Sequence, residues 1–230
     1  MIKKLGLTNN QLKIIAMLAM LCDHVGKQFF PQIVLLQIIG RIAFPIFAFM
    51  IAQGCFYTKN KLKYFLSVFL LGVGCQAVFF VAEHSFYQNI LLTFSLSVAL
   101  IFSIENFKNK NSKASAFLMV FTASAVLLFT VAFPKIFKSC GFFIDYGIFG
   151  VLLPVMVFYA PNKWSKLFFA AVAVVLVALN FGGLQWCSLL ALPLLALYNQ
   201  KRGKYNIKAL FYIFYPAHLA LIYLISLLLQ

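Results

Sequence analysis

Three places in this chain of 230 residues carry ionisable groups in settings where they could do chemistry: the adjacent Asp23 and His24, Arg41, and His218. A neutral imidazole can take the proton of an attacking amine or hydroxyl, or accept an acyl group itself. A guanidinium can steady a developing oxyanion or neutralise a carboxylate. Each group lies inside a long apolar stretch, where an ionisable side chain is costly and marks a functional site by default. Their depths agree. At helical rise His24 stands about 18 Å above the inner end of its stretch, Arg41 about 12 Å below the outer end of the next, and His218 about 14 Å above the inner end of the last. Set in a hydrocarbon layer of roughly 30 Å, all three fall in one layer within about 3 Å of the midplane, His24 and Arg41 slightly outside it.

Lys13 adds a second clue. Eleven residues at about 100° each come within about 20° of three full turns, so Lys13 and His24 share a helix face, about 16 Å apart. That separation suits a ligand with an anionic head and a long thin arm reaching a reactive end. Plainer readings stand beside these. Asp23 and Arg41 also read as a neutralising pair between antiparallel neighbours, His218 as a helix-bridging hydrogen bond, Lys13 as a snorkelling end residue and His84, beside Glu83, as interfacial. Consecutive helix residues point about 100° apart, so Asp23 pairs more easily with Arg41 or His218 than with His24. The short connection around Pro31 makes the first two helices neighbours and lets His24 face Arg41.

The elements that must position these groups follow from composition. Hydrophobic residues make up 64% and charged residues 10%, against about 45–50% and about 25% in ordinary soluble domains. Mean hydropathy is +0.98. A soluble fold of this size cannot hide that much apolar surface. The reading is an all-α, polytopic membrane helix bundle forming a single domain over 1–230. Its spans fall at 12–30, 33–57, 64–83, 88–104, 114–134, 142–160, 164–180, 184–198 and 209–229, which makes about nine transmembrane helices, with eight to ten possible. The formal net charge of +15 would point to nucleic acid on a soluble chain. Here the basic residues sit in short clusters between apolar stretches, so no nucleic-acid partner is expected. With the N-terminus inside, fifteen basic residues, among them Lys3, Lys4, Lys61, Lys108, Lys166 and Lys208, fall on the inner side. The outer side holds Lys27, Lys135 and Lys138. The chain is therefore expected in the cytoplasmic membrane with its N-terminus in the cytoplasm and its C-terminus outside. The five cysteines show no disulfide or metal spacing, and Cys22, Cys55, Cys75 and Cys187 read as small buried hydrophobes. No metal is expected. The N-terminal apolar run lacks a cleavage site and reads as an uncleaved first helix.

Several segments resemble the TraX family. They are Leu12-Lys13-Ile14-Ile15-Ala16-Met17 running to Cys22-Asp23-His24-Val25-Gly26, and Gly40-Arg41-Ile42-Ala43-Phe44-Pro45-Ile46-Phe47-Ala48-Phe49-Met50 ending at Gln53-Gly54. Asn89 to Phe94, Asp145 to Leu152, and Phe214-Tyr215-Pro216-Ala217-His218 extend the likeness over nearly the whole chain. The family's founding protein acetylates the amino terminus of conjugative pilin, and the family is similar to membrane acyltransferases of the acyltransferase-3 type. Those enzymes carry an Arg, ten residues, then a His in their first helix; Lys13-x10-His24 matches with Lys in place of Arg, keeping the cation and losing the planar fork.

The resemblance implies acetyl-CoA as donor, used from the cytoplasmic side, with Lys13 toward the phosphate-rich head. His24, Asp23, Arg41 and His218 then form the reactive layer. The expected activity is acetyl transfer to an amine or hydroxyl of a membrane or extracytoplasmic acceptor: a protein N-terminus, a glycan or a lipid-linked group. The competing class is a small-molecule or proton-coupled transporter, since intramembrane His, Asp and Arg also build proton relays, but paired half-repeats are missing. A structural assembly factor would leave the polar layer unexplained.

Overall fold

A computed structural model describes residues 6–205 and 207–229. Lys3, Lys4 and Gln230 lie outside the described residues, as do the side chains of Glu83 and Lys208, while His84 is exposed at the end of the fourth helix. The fold is 81% helical. The helices are α1 (Asn9–Phe29), α2 (Val34–Arg41), α3 (Ala43–Tyr57), α4 (Lys61–Glu83), α5 (Ile90–Lys110), α6 (Lys113–Leu127), α7 (Phe133–Ile136), α8 (Gly147–Tyr159), α9 (Lys163–Phe181), α10 (Ala191–Ala196) and α11 (Lys208–Leu228). Among the described residues six helical stretches are long and apolar enough to cross a membrane: Val34–Tyr57, Lys61–Val81, Ile90–Lys110, Lys113–Ile136, Lys163–Phe181 and Ala209–Leu228. Helix α1 has the length but carries Lys13, Asp23, His24 and Lys27, and the stretches Gly147–Tyr159 and Gly183–Ala196 are shorter. The outward faces are apolar, with Phe117 at 73% and Leu62 at 67% exposure, a surface that water would penalise and lipid would not. The chain is a multi-pass membrane protein.

The described residues form two compact units, one from Met1–Met50 with Ala170–Gln230, the other from Ile51–Phe169. In the first unit α1 packs on α2 and α11, and α2 packs on a 3-10 helix at Gly183–Leu190. Helix α1 begins where Thr8 caps it reciprocally with Gln11, satisfying N–H groups that a helix start leaves orphaned. Helices α2 and α3 are separated at Ile42. Pro45 explains the break: it lacks an N–H and its ring crowds the carbonyl four residues back, which belongs to Arg41. Arg41 therefore sits at a helix end.

In the second unit α5 is central, packing on α4, α6 and α8. Asn89 caps it, accepting from the Leu91 amide at 3.0 Å, while its own amide donates to the Gly72 carbonyl at 2.9 Å. A short parallel pair, Tyr87–Gln88 against Phe143–Ile144, ties two loops together. There the Thr93 hydroxyl donates to the Asp145 carbonyl at 2.8 Å and the Tyr87 hydroxyl to the Asp145 carboxylate at 2.5 Å. The family-like segments beginning at Asn89 and Asp145 thus brace this unit. A π-helical turn at Leu128–Ala132 precedes α7, just upstream of Pro134, as expected where proline disturbs the ladder. Of the cysteines expected to be buried, Cys55 and Cys75 are; Cys22 and Cys187 are only partly so.

Candidate functional site

The polar groups of the first unit fall into two networks. The first joins α1 to α11. His24 Nδ1 lies 2.9 Å from His218 Nε2, and His218 Nδ1 lies 2.8 Å from the Phe214 carbonyl oxygen one turn earlier. A carbonyl can only accept, so the proton between them belongs to His218 Nδ1. Neutral His218 then has a bare Nε2, and His24 must donate its own Nδ1–H to it. The remaining nitrogen, His24 Nε2, carries an available lone pair. The chain of bonds therefore dictates a tautomer, and with it a direction for proton transfer. His218 is buried and stacked on Phe214 at 4.9 Å between ring centroids, while His24 is half-exposed. The ring that is held rigid orients the one that can be reached.

Lower on the same pair of helices, Lys13 Nζ lies 4.9 Å from the centroid of the Phe211 ring. Lys13 and His24 thus both face α11, as the three-turn spacing requires. The pairs Lys13–Phe211 and His24–His218 also make α1 and α11 parallel, since residue number rises in the same direction along both.

The second network joins α1, α2 and the 3-10 helix. Asp23 Oδ1 accepts from Arg41 Nη2 at 2.9 Å and Asp23 Oδ2 from Lys27 Nζ at 2.5 Å. Arg41 Nη1 donates to Gln185 Oε1 at 3.3 Å, and Gln185 Nε2 to the Ser188 hydroxyl at 2.7 Å. A 3-10 helix turns once every three residues, so side chains at i and i+3 eclipse, and that alignment brings Gln185 to Ser188. Gly182 and Gly183 start this segment at φ of 66° and 51°, a conformation that glycine reaches without steric cost. Gly40 lets α2 approach α1: a Cβ there would lie 2.3 Å from the Cβ of Asp23. Arg41 Nε is buried and meets no acceptor among the described residues.

The structure thus brings together Asp23 with Arg41, and His24 with His218. Where the sequence let His24 face Arg41, the hydrogen bonds go elsewhere: His24 bonds His218, and Arg41 bonds Asp23 and Gln185. The two residues of the Asp23-His24 pair turn to different partners, and among the described residues no hydrogen bond links the two networks. Lys27, Gln185 and Ser188 were missed by sequence reasoning. The i,i+4 spacing from Asp23 could have found Lys27; nothing local marks Gln185 or Ser188. The Phe44-Pro45-Ile46-Phe47 stretch is packing, with Phe44, Ile46 and Phe47 all buried. Among the described residues no three His, Cys, Asp or Glu side chains gather as a metal site.

The probable fimbrial assembly protein FimC, serogroup H1, of Dichelobacter nodosus is 25% identical over 247 aligned residues, covering 92% of this chain and 93% of that protein. An uncharacterized protein of Rickettsia prowazekii is 28% identical over 162 residues, or 70% of this chain. The match spans 59% of the Rickettsia protein's length. No solved structure matches the chain. The family model of the TraX protein matches residues 8–226, a range that takes in Lys13 and both polar networks. The chain belongs to the TraX family.

Proposed function

We propose that this protein is a membrane acetyltransferase that moves an acetyl group from cytoplasmic acetyl-CoA to an amine or hydroxyl on a membrane or extracytoplasmic acceptor. The observation that carries this reading is the ordered pair His24–His218, which leaves one imidazole nitrogen as a base with a fixed tautomer. His24 Nε2 takes the proton of the acceptor's amine or hydroxyl as that group attacks the thioester carbonyl. The carbon–sulfur bond then breaks, and His24 returns the proton to the departing thiolate. His218 holds the His24 ring in place through its Nε2 lone pair. Arg41, gripped by Asp23 and Gln185, supplies a fixed positive field beside this layer. Lys13 serves the donor's phosphate-rich head, and the distance of about 16 Å along α1 fits the pantetheine arm. The relative named for fimbrial assembly supports a protein acceptor in such a process.

The fold reading behind this is nine crossings in the cytoplasmic membrane, N-terminus inside and C-terminus outside. Parallel α1 and α11 support an odd count, because first and last crossings run the same way only when their number is odd. Reporter fusions after Lys61, Lys110 and Lys204 are expected to read cytoplasm and a fusion after Gln230 the outside. A cytoplasmic reading at Gln230 would remove the odd count.

The test of the activity is incubation of the purified protein in vesicles with acetyl-labelled acetyl-CoA. The expected result is His24-dependent release of free CoA, with label on added acceptor or retained on protein. Lys13→Ala should weaken apparent donor affinity, by a factor that shrinks as salt rises, because charge at a solvated mouth is screened within about 8–10 Å. Unchanged affinity in Lys13→Ala would return that lysine to a purely interfacial role.

A further inference from the structure

Positive charge gathers in the first unit at the end of α1 remote from Asp23 and His24. Residues 199–205 lie between α10 and α11 and carry Lys201, Arg202 and Lys204, all exposed. This loop is bonded to the start of α1. The amides of Asn9 and Asn10 donate to the Lys201 and Arg202 carbonyls at 2.8 and 3.2 Å, and Asn10 Nδ2 donates to the Tyr205 carbonyl at 2.5 Å. Asn199 anchors the other end, its amide donating to the Leu7 carbonyl and its side chain to that of Gly6, both at 2.9 Å. Gly203 sits at φ of 98°, and a Cβ there would lie 2.9 Å from Asn10 Nδ2, so both its backbone and its neighbour call for glycine. Asn9 and Asn10 precede Lys13 by four and three residues, one turn away on the same helix face. Phe211, whose ring meets the Lys13 ammonium, follows Tyr205 by six residues. Lys13 and the three cations of the loop therefore share one end of the unit. Asp23, the one side-chain carboxylate in the unit's sequence, stands about 20 Å further along α1 from Asn10. A basic loop that only sets topology needs its charge on one side of the membrane and no fixed conformation.

We propose that residues 199–205 and Lys13 form a binding site for a purine nucleotide carrying two or more phosphates. Arg202 presents a planar fork that meets phosphate oxygens through two N–H bonds, while Lys13, Lys201 and Lys204 act as point charges. The Tyr205 ring is 71% exposed and offers a face on which a base can stack. Lys204 Nζ lies 5.7 Å from the centroid of that ring, so a base seated there brings its phosphates beside a cation. The Asn9 and Asn10 amides are occupied by loop carbonyls, and the ligand accordingly meets side-chain cations, not a bare helix end. Those same bonds hold the loop in place before the ligand arrives, which lowers the ordering cost of binding. Identifying the nucleotide as the head of the acetyl donor rests on the acetyl-transfer reading; the binding of a nucleotide polyphosphate does not.

The test uses the full chain in an uncharged maltoside detergent, with ADP and inorganic pyrophosphate as probes and chloride at equal ionic strength as control. ADP is expected to bind by calorimetry and to raise the melting temperature, and pyrophosphate to bind more weakly. Arg202→Gln should weaken ADP binding at least fivefold. Lys110→Gln, which removes an equally exposed charge from the second unit, should change it less than twofold. Tyr205→Leu should weaken ADP and leave pyrophosphate unchanged. Gly203→Ala is the sharpest variant, because it keeps every charge and disturbs only the loop; it should weaken ADP at least fivefold, whereas a topology signal predicts no change. Should Gly203→Ala fail to fold, Asn10→Ala, which releases the Tyr205 carbonyl, takes its place with the same expected loss. His24→Ala should bind ADP normally while losing transfer, and a parent protein that binds ADP but transfers nothing would remove the acetyl-transfer reading and leave the site standing. Absent ADP binding, an equal thermal shift with chloride, or equal losses in Arg202→Gln and Lys110→Gln would overturn the nucleotide site. Displacement of ADP by short-chain phosphatidylglycerol, at concentrations where AMP fails to displace it, would assign the cations to lipid headgroups and overturn it as well.

Discussion

His24→Ala is expected to lower acetyl transfer by about 10²–10⁴-fold, the range a positioned general base contributes, while the protein still inserts and purifies. The size of the effect follows from the geometry. His24 is the half-exposed member of the imidazole pair, and its Nε2 is the nitrogen that the hydrogen-bond chain leaves bare. His218 is buried and already uses both ring nitrogens, so it cannot substitute. Replacement of His218 should act differently. His218→Ala removes the acceptor that holds the Nδ1–H of His24, leaving the imidazole free to rotate and to adopt either tautomer. Its rate loss should be smaller than that of His24→Ala. His218→Gln, whose amide oxygen can still accept from His24, should recover part of it. Structural roles alone would give the opposite pattern, a loss of yield and melting temperature with activity retained in the folded fraction. Full activity in both His24→Ala and His218→Ala would sink acetyl transfer and leave a transporter as the stronger reading.

Much of the frame was legible before any coordinates. The apolar stretches carry the helices, because a chain this poor in charge has few other ways to satisfy its backbone in lipid. The pairing of Asp23 with Arg41 follows from a short connection between neighbouring helices and from opposite charges at one depth. The partner of His24 was not legible as a partner. His218 lies 194 residues away, and shared depth says that two groups occupy one layer without saying that they touch. The division of the polar layer into two networks was hidden for a related reason. Asp23 and His24 are adjacent in sequence, yet about 100° of helical rotation sends them to different neighbours. The break at Ile42 could have been read from Pro45. The 3-10 segment could not: the two glycines at 182 and 183 mark a turn, but only tertiary packing against α2 selects the tighter helix that aligns Gln185 with Ser188. Short apolar stretches such as 184–198 are ambiguous for that reason, since composition records apolarity and leaves helix type open.

Asp23→Asn is expected to be the most destabilising single change in the polar layer, and Arg41→Gln added to it should restore much of the lost stability without restoring transfer. Removing the carboxylate leaves Arg41 buried with Gln185 as its one side-chain hydrogen-bond partner among the described residues, and leaves Lys27 without the acceptor four residues before it. Breaking a buried pair from one side costs about 3–5 kcal/mol, and both cations here lose the same anion. Lys27 is half-exposed and can turn to water, so the burden falls on Arg41. Taking away the guanidinium as well removes the stranded charge, which is why the double variant should melt closer to the parent than Asp23→Asn does. Additivity of the two losses, measured by a double-variant cycle, would mean that the pair is not coupled. Activity should separate from stability. If the role of Arg41 were only to neutralise Asp23, the double variant would transfer acetyl groups once it folds. An arginine whose charge serves the reaction predicts a protein that is stable again and still inactive, because glutamine offers no fixed positive charge beside the imidazole layer.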